Sequence, residues 1–189
     1  MADVTDLTTA QAEIRRRVKA VGPEQWALPT PCDEWSVQDL VFHLVAGGRM
    51  TVLLLQGASA ADSRAPFVAT PGPDLAVDLD AALADELAAF SAPDAFDRVV
   101  HHPAAGDVPG ASVYQFRTSD YLLHCWDLAR ATRGDEQLHE GLVAATWDGM
   151  QPMAPFIAEI GIFGDGPSGT VGEDAPLQQR LLDFTGRRP

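Results

Sequence analysis

Residues 36–55, SVQDLVFHLVAGGRMTVLLL, carry the clearest helix-start signal in this 189-residue chain. Ser36 can cap a helix, and Asp39 stands three residues on, where an acid reaches back to the cap. The apolar residues behind it predict a helix over 37–55. Working outward, Leu7, Ala10, Ile14 and Val18 recur at spacings of three and four. That stripe predicts a first helix, stopped by Gly22-Pro23. A third helix fits residues 79–90, after a loop that begins near Gly57 and the breaker Pro71-Gly72-Pro73. The stretch 92–110 holds Pro93, Pro103, Gly106 and Pro109-Gly110, and only 96–100 resembles a strand, so it reads as a long loop. A fourth helix is expected over 112–132, ending at Gly134. A fifth covers 140–160, bent or broken near Pro152 and Pro155, and a short last helix covers 177–184. Four substantial helices with apolar faces predict an all-α four-helix bundle with a short C-terminal helix and long connecting loops.

The composition agrees with one globular domain over residues 1–189. Hydrophobic residues make up 46% of the chain and charged ones 21%, too few charges for a solvated disordered segment. Twenty-seven acids against 13 Lys plus Arg leave a net charge of -14, which repels phosphate backbones and anionic lipid. The one basic cluster is Arg15 to Arg17 with Lys19, so neither nucleic acid nor membrane is an expected partner. No apolar stretch reads as a bilayer span, and the N-terminus lacks the basic-then-apolar pattern of a signal peptide, so a cytoplasmic location is expected. Cys32 and Cys125 are then both thiols.

Asp120 and His124 lie four residues apart on the fourth predicted helix, so their side chains share one face and can converge on an ion. The same spacing also serves an ordinary hydrogen bond. His43 sits mid-helix among Leu40, Val41, Phe42, Leu44 and Val45, where its ring nitrogens need partners that a backbone carbonyl could equally supply. Ala46 and Gly47 leave space on its face for a ligand or a water. Two histidines and a carboxylate from two helices form the three-ligand set of a catalytic zinc or similar divalent site, with one position open.

Other candidates have plainer readings. Asp127 can orient the His124 imidazole or pair with Arg130, both at a spacing of three. Cys125 points about 100° round the helix from His124, and Cys32 has no cationic neighbour in sequence, so both read as structural. His101 and His102 read as solvent-facing loop residues. Trp26, Trp35, Trp126 and Trp147 read as bundle anchors, with ligand recognition second. The run Gly164-Asp165-Gly166-Pro167-Ser168-Gly169 matches G-x-G-x-x-G but has no clear preceding strand and is interrupted by Pro167, which excludes a dinucleotide site. G-x-S-x-G and G-x-x-x-x-G-K-[ST] do not occur, which leaves the metal constellation.

The run from Pro29 to Leu44, PTPCDEWSVQDLVFHL, resembles the N-terminal signature of the actinobacterial metal-binding proteins related to mycothiol-dependent maleylpyruvate isomerase. His124-Cys125-Trp126-Asp127-Leu128-Ala129-Arg130-Ala131-Thr132 resembles the second signature, and residues 175–182, APLQQRLL, the closing segment. The resemblance implies a DinB-like fold, with a metal held by His43, His124 and a glutamate four residues before His124. Here that residue is Asp120, shorter by one methylene, about 1.5 Å of reach.

The resemblance further implies an enzyme in which zinc, or nickel as the alternative, binds mycothiol or another low-molecular-weight thiol as the nucleophilic thiolate. The thiolate adds to an activated double bond, rotation follows, and the thiol leaves, an isomerisation; transfer or conjugation uses the same addition. Expected partners are the thiol, an electrophilic substrate and, as an allowed state, a second copy in a homodimer. Arg49, Arg117 and Arg130 are candidate cations for an anionic substrate. The alternative is a non-catalytic bundle that binds metal or a partner protein.

Overall fold

The structure, a computed structural model, describes residues 3–32, 34–161, 163 and 166–189. Gly164 and Asp165 of the glycine-rich motif lie outside the described residues. The chain's internal contacts group into two units, Met1–Glu136 and Gln137–Pro189.

The first unit contains α1 (Thr5–Lys19), α2 (Val37–Leu55), α3 (Leu75–Phe90) and α4 (Gly110–Thr132). α1 packs on α3 and α4, and α2 packs on the same two helices, the arrangement of a four-helix bundle. The stripe on α1 is wholly internal, with Leu7, Ala10, Ile14 and Val18 all buried. α2 begins as its capping box dictates: Ser36 Oγ accepts from the Asp39 backbone, and Asp39 Oδ2 accepts from the Ser36 N–H at 2.9 Å. By length and composition α2 could cross a membrane, contrary to the sequence reading, but 61% of its apolar window is buried within the protein. Its hydrophobicity serves the bundle core.

Two helix starts and two connecting segments differ from expectation. α3 starts a turn early because Asp74 Oδ1 accepts from the backbone N–H groups of Ala76 and Val77. α4 starts at Gly110, and its C-cap Arg133 takes the left-handed conformation with φ 57° while the Gly134 N–H bonds back to the Ala129 carbonyl at 2.8 Å. The predicted loop 92–110 contains an antiparallel hairpin, β1 (Val99–His102) paired with β2 (Gly106–Pro109), in the register His102 to Gly106 and Val99 to Pro109. Gly106, at φ 72°, follows the turn. β2, Gly-Asp-Val-Pro, lacks alternating apolar residues, which is why its strand character was invisible. The loop after Gly57 also holds a 3-10 segment, Asp62–Val68, packed against α2.

In the second unit the predicted fifth helix is divided. α5 (Glu140–Met150) gives way to a 3-10 turn, Gln151–Met153, and then to α6 (Ala154–Ile160), with the prolines at the breaks. α7 (Leu177–Phe184) packs on α5. Trp147 contacts the Phe184 ring at 5.9 Å and lies under the Arg180 guanidinium.

One polar network crosses the otherwise apolar interior of the four-helix bundle. Glu86 of α3 is fully buried and accepts from Gln11 Nε2 (2.9 Å), Tyr121 OH (2.8 Å) and Arg117 Nε (2.9 Å). Arg117 lies over the Tyr121 ring and donates to the Leu44 carbonyl of α2. Burial opposes its charge, and Tyr121, Glu86 and Asp120 outweigh that effect and keep it a cation. The space beside Gly47, read from sequence as room for a ligand or a water, is filled by this guanidinium: a Cβ at Gly47 would lie 2.8 Å from Arg117 Cζ and closer still to Nη1. At Gly48 a Cβ would meet only ordinary contacts at 3.4–3.5 Å.

Gly47→Ala should therefore destabilise the protein by about 1–3 kcal/mol in urea unfolding despite alanine's better helix propensity, the cost of overpacking a filled core. Gly48→Ala should keep or raise stability. Equal effects at the two positions would contradict this packing.

Candidate metal centre

α2 and α4 bring the three sequence-predicted ligands together. His43 Nε2 lies 3.4 Å from Asp120 Oδ1, and His124 Nε2 lies 3.2 Å from the same oxygen. All three donor atoms fall within 4.8 Å of one another. Bonds of about 2.0–2.2 Å in a tetrahedral arrangement put neighbouring ligand atoms about 3.4 Å apart, and both distances to Asp120 Oδ1 match that spacing. His43 and Asp120 are each about a quarter exposed, whereas His124 is buried. The group is thus open on one side. Trp35 and Phe67 flank His43, with ring centroids at 4.8 and 5.7 Å.

The shorter carboxylate is held in place by the core network. Arg117 Nη1 donates to Asp120 Oδ2 at 2.6 Å, which leaves Oδ1 facing both imidazoles. Burial alone would push the Asp120 carboxyl up, but His43, His124 and Arg117 hold it well below the usual range. His124 is the converse case. Burial opposes its charge, yet Asp120, with Asp127 and Cys32 adding hydrogen bonds, raises it well above the usual histidine value.

Asp127 is fully buried, and its Oδ2 lies 2.9 Å from His124 Nδ1. The open choice between His124 and Arg130 goes to His124 in this structure; Arg130 pairs with Glu136 and stacks on Trp126. An ionised carboxylate only accepts, so Nδ1 carries a proton and Nε2 is the nitrogen left for an ion, the carboxylate–histidine arrangement common at metal sites.

The remaining candidates are distributed as follows. Trp126 is a buried anchor, as read, but Trp35 borders the candidate site. Trp26 is half-buried, and its carbonyl accepts from the Gln38 N–H at the start of α2. His101 Nδ1 meets Asp107 across the hairpin, and His102 accepts from the Ala104 and Ala105 backbone and packs on Phe116, so neither joins the site. Cys125 is buried, its thiol pushed up to about 12 chiefly by burial. The substrate cations proposed from sequence are engaged: Arg49 with Asp78, Arg117 in the core and Arg130 with Glu136. The basic cluster is likewise offset, Arg15 and Lys19 by Asp80 and Arg16 by Glu13.

Sequence reading missed two features. Gly47, Glu86 and Arg117 form the support for Asp120, and no local pattern marks partners on three helices. Cys32, read as structural, places Sγ 3.9 Å from His124 Nδ1 and 3.5 Å from Asp127 Oδ2.

The family described as Mycothiol maleylpyruvate isomerase N-terminal domain matches residues 7–129. An uncharacterized protein, Rv0738 of Mycobacterium tuberculosis, is 32% identical over 173 residues, covering 88% of this chain and 87% of the relative. A second strain of that organism has an uncharacterized protein matching equally. Among solved structures, the mycothiol-dependent maleylpyruvate isomerase matches with a TM-score of 0.61 at 15% identity, over 75% of this chain and 65% of that one. A histidine-to-alanine mutant of it matches with a TM-score of 0.57 at 16% identity, over 66% and 58%. The likeness thus spans under two thirds of the solved chains, and at these identities it shows the fold.

The two coupled groups set a pH window for the metal-free protein. His124, raised in the folded state, adds stability that is complete below its ordinary 6.5 and lost as pH rises through the raised value. Asp120, lowered, adds stability present above its ordinary 3.8 and lost on acidification through the lowered value. For these two groups together, stability should peak between about pH 4 and 6.5. Thermal melts in chelator should show Tm falling on the alkaline side, and His124→Gln should flatten that limb. An alkaline limb that is identical in the variant would contradict the coupling.

Proposed function

Given that the chain belongs to the mycothiol maleylpyruvate isomerase N-terminal domain family, we propose that it is a divalent-metal-binding enzyme that activates a low-molecular-weight thiol at His43, Asp120 and His124. The observation that carries this reading is the convergence of His43 Nε2 and His124 Nε2 on one oxygen of Asp120, at 3.4 and 3.2 Å. Zinc is the preferred ion, with nickel the alternative. Mycothiol, named in the solved relatives, is the preferred thiol.

An ion held by His43, Asp120 and His124 would supply the Lewis acidity that favours the thiolate form of a thiol near neutral pH. The chain's own residues prepare that position. Arg117 immobilises the second oxygen of Asp120, so its first oxygen points at the two imidazoles without a side-chain rearrangement. Asp127 holds the Nδ1 proton of His124 and thereby directs the Nε2 lone pair to the same point. Trp35 and Phe67 wall off His43 and offer apolar surface to an organic ligand. The reaction class is isomerisation of, or thiol transfer to, a substrate with an activated double bond.

A non-catalytic metal-binding bundle is the second reading. It is favoured by the burial of Arg117 in the core network, which removes one of the three cations proposed to receive an anionic substrate, while Arg49 and Arg130 pair with Asp78 and Glu136. Incubating zinc-loaded protein with mycothiol and maleylpyruvate, or another cis-unsaturated dicarboxylate, separates the two. The enzyme reading expects one zinc per chain and turnover that is lost in His43→Ala and His124→Ala, with zinc affinity reduced at least tenfold, on the order of what even outer-shell changes cost. Full metal loading without turnover supports the binder, and binding of neither zinc nor nickel by the folded protein overturns both.

A further inference from the structure

His124 faces a donor set on each edge of its ring. Beyond Nδ1, Cys32 Sγ lies at 3.9 Å and Asp127 Oδ2 at 2.9 Å, and the sulfur and oxygen are 3.5 Å apart. Tetrahedral coordination with metal–sulfur bonds of about 2.3 Å and metal–nitrogen or –oxygen bonds of about 2.0–2.2 Å sets edges of about 3.4–3.6 Å. The three distances bracket those edges, so shifts of a few tenths of an ångström would seat an ion. Cys32 is held ready by its loop. Its N–H donates to Thr30 Oγ1 at 3.2 Å, and the Thr30 N–H donates to the Trp35 carbonyl at 2.9 Å, which ties the loop to the start of α2. Asp127 and His124 are buried on α4, and Cys32 is half-buried, which leaves an approach from solvent.

We propose that Cys32, Asp127 and the Nδ1 edge of His124 form a second, separate site for a thiophilic divalent metal such as cadmium or cobalt. The donors differ in kind from those on the other edge, where nitrogen and oxygen alone are present; a sulfur ligand selects softer ions. Binding there releases two protons to solvent, one from the Cys32 thiol and one from Nδ1 of His124, and the ring, now neutral, keeps its other proton on Nε2. Asp120 Oδ1, 3.2 Å away, is placed to accept from that N–H. A neutral imidazole has one lone pair, so an ion at Nδ1 removes His124 from the Nε2 set. The two sites therefore exclude each other, and a soft metal acts as an antagonist of the ion proposed above. This site uses its own donor atoms and shares only His124 with that reading.

Titrating the full-length, metal-free protein with cadmium or cobalt reads the site directly, because sulfur-to-metal charge-transfer absorption requires a thiolate ligand. Wild type should develop this absorption at one equivalent, and Cys125→Ser and His43→Ala should keep it. Cys32→Ser should lose it, with circular dichroism confirming that the fold is retained. No such absorption in wild type, its survival in Cys32→Ser, or its loss in Cys125→Ser would each overturn the proposal. The His43→Ala arm separates the two readings, since it removes the Nε2-edge site and leaves the sulfur site intact.

Discussion

A buried guanidinium organises this protein. Arg117 projects from α4 into the middle of the bundle, where it bonds Glu86 of α3, the Leu44 carbonyl of α2 and Asp120 of its own helix. A charge in that position is costly unless every direction is met by a partner. The partners explain several otherwise unremarkable residues. Gly47 lacks a side chain because the guanidinium fills its place, and Glu86 also collects Gln11 and Tyr121, tying α1 into the same network. The consequence for chemistry is that Asp120 arrives at the candidate site already oriented.

The site inherits its electrostatics from this arrangement. Asp120 divides its two oxygens between a fixed cation and two imidazoles, so it stays ionised despite burial. His124 divides its two nitrogens between Asp120 and the Asp127–Cys32 pair. One residue on α4 is thus the junction of two groups of potential ligands, and its tautomer decides which of them it serves. That division also gives Asp127 a purpose beyond surface pairing: it selects the nitrogen that faces His43.

Much of this architecture could be read locally. The capping box at Ser36 set the start of α2, the breakers Pro152 and Pro155 divided the fifth helix, and α7 occupies its expected span. The metal candidates were also legible, because the four-residue spacing of Asp120 and His124 is a property of one helix and the flanking motifs resembled a known family. The hairpin was not, since its pairing joins residues whose side-chain pattern carries no alternation. Nor was the early start of α3, where Asp74 caps a turn that the apolar stripe alone did not reveal.

The sequence by itself determined most of the helices, their buried faces and three candidate ligand side chains, because helix periodicity and capping act over a few residues. Tertiary structure alone decided which charges neutralise one another and which atoms of those side chains face each other. Glu86 is 31 residues from Arg117, and Cys32 is 92 from His124. Such pairs are made by packing, and the cost of burying an unmatched charge or ring nitrogen is what requires their agreement.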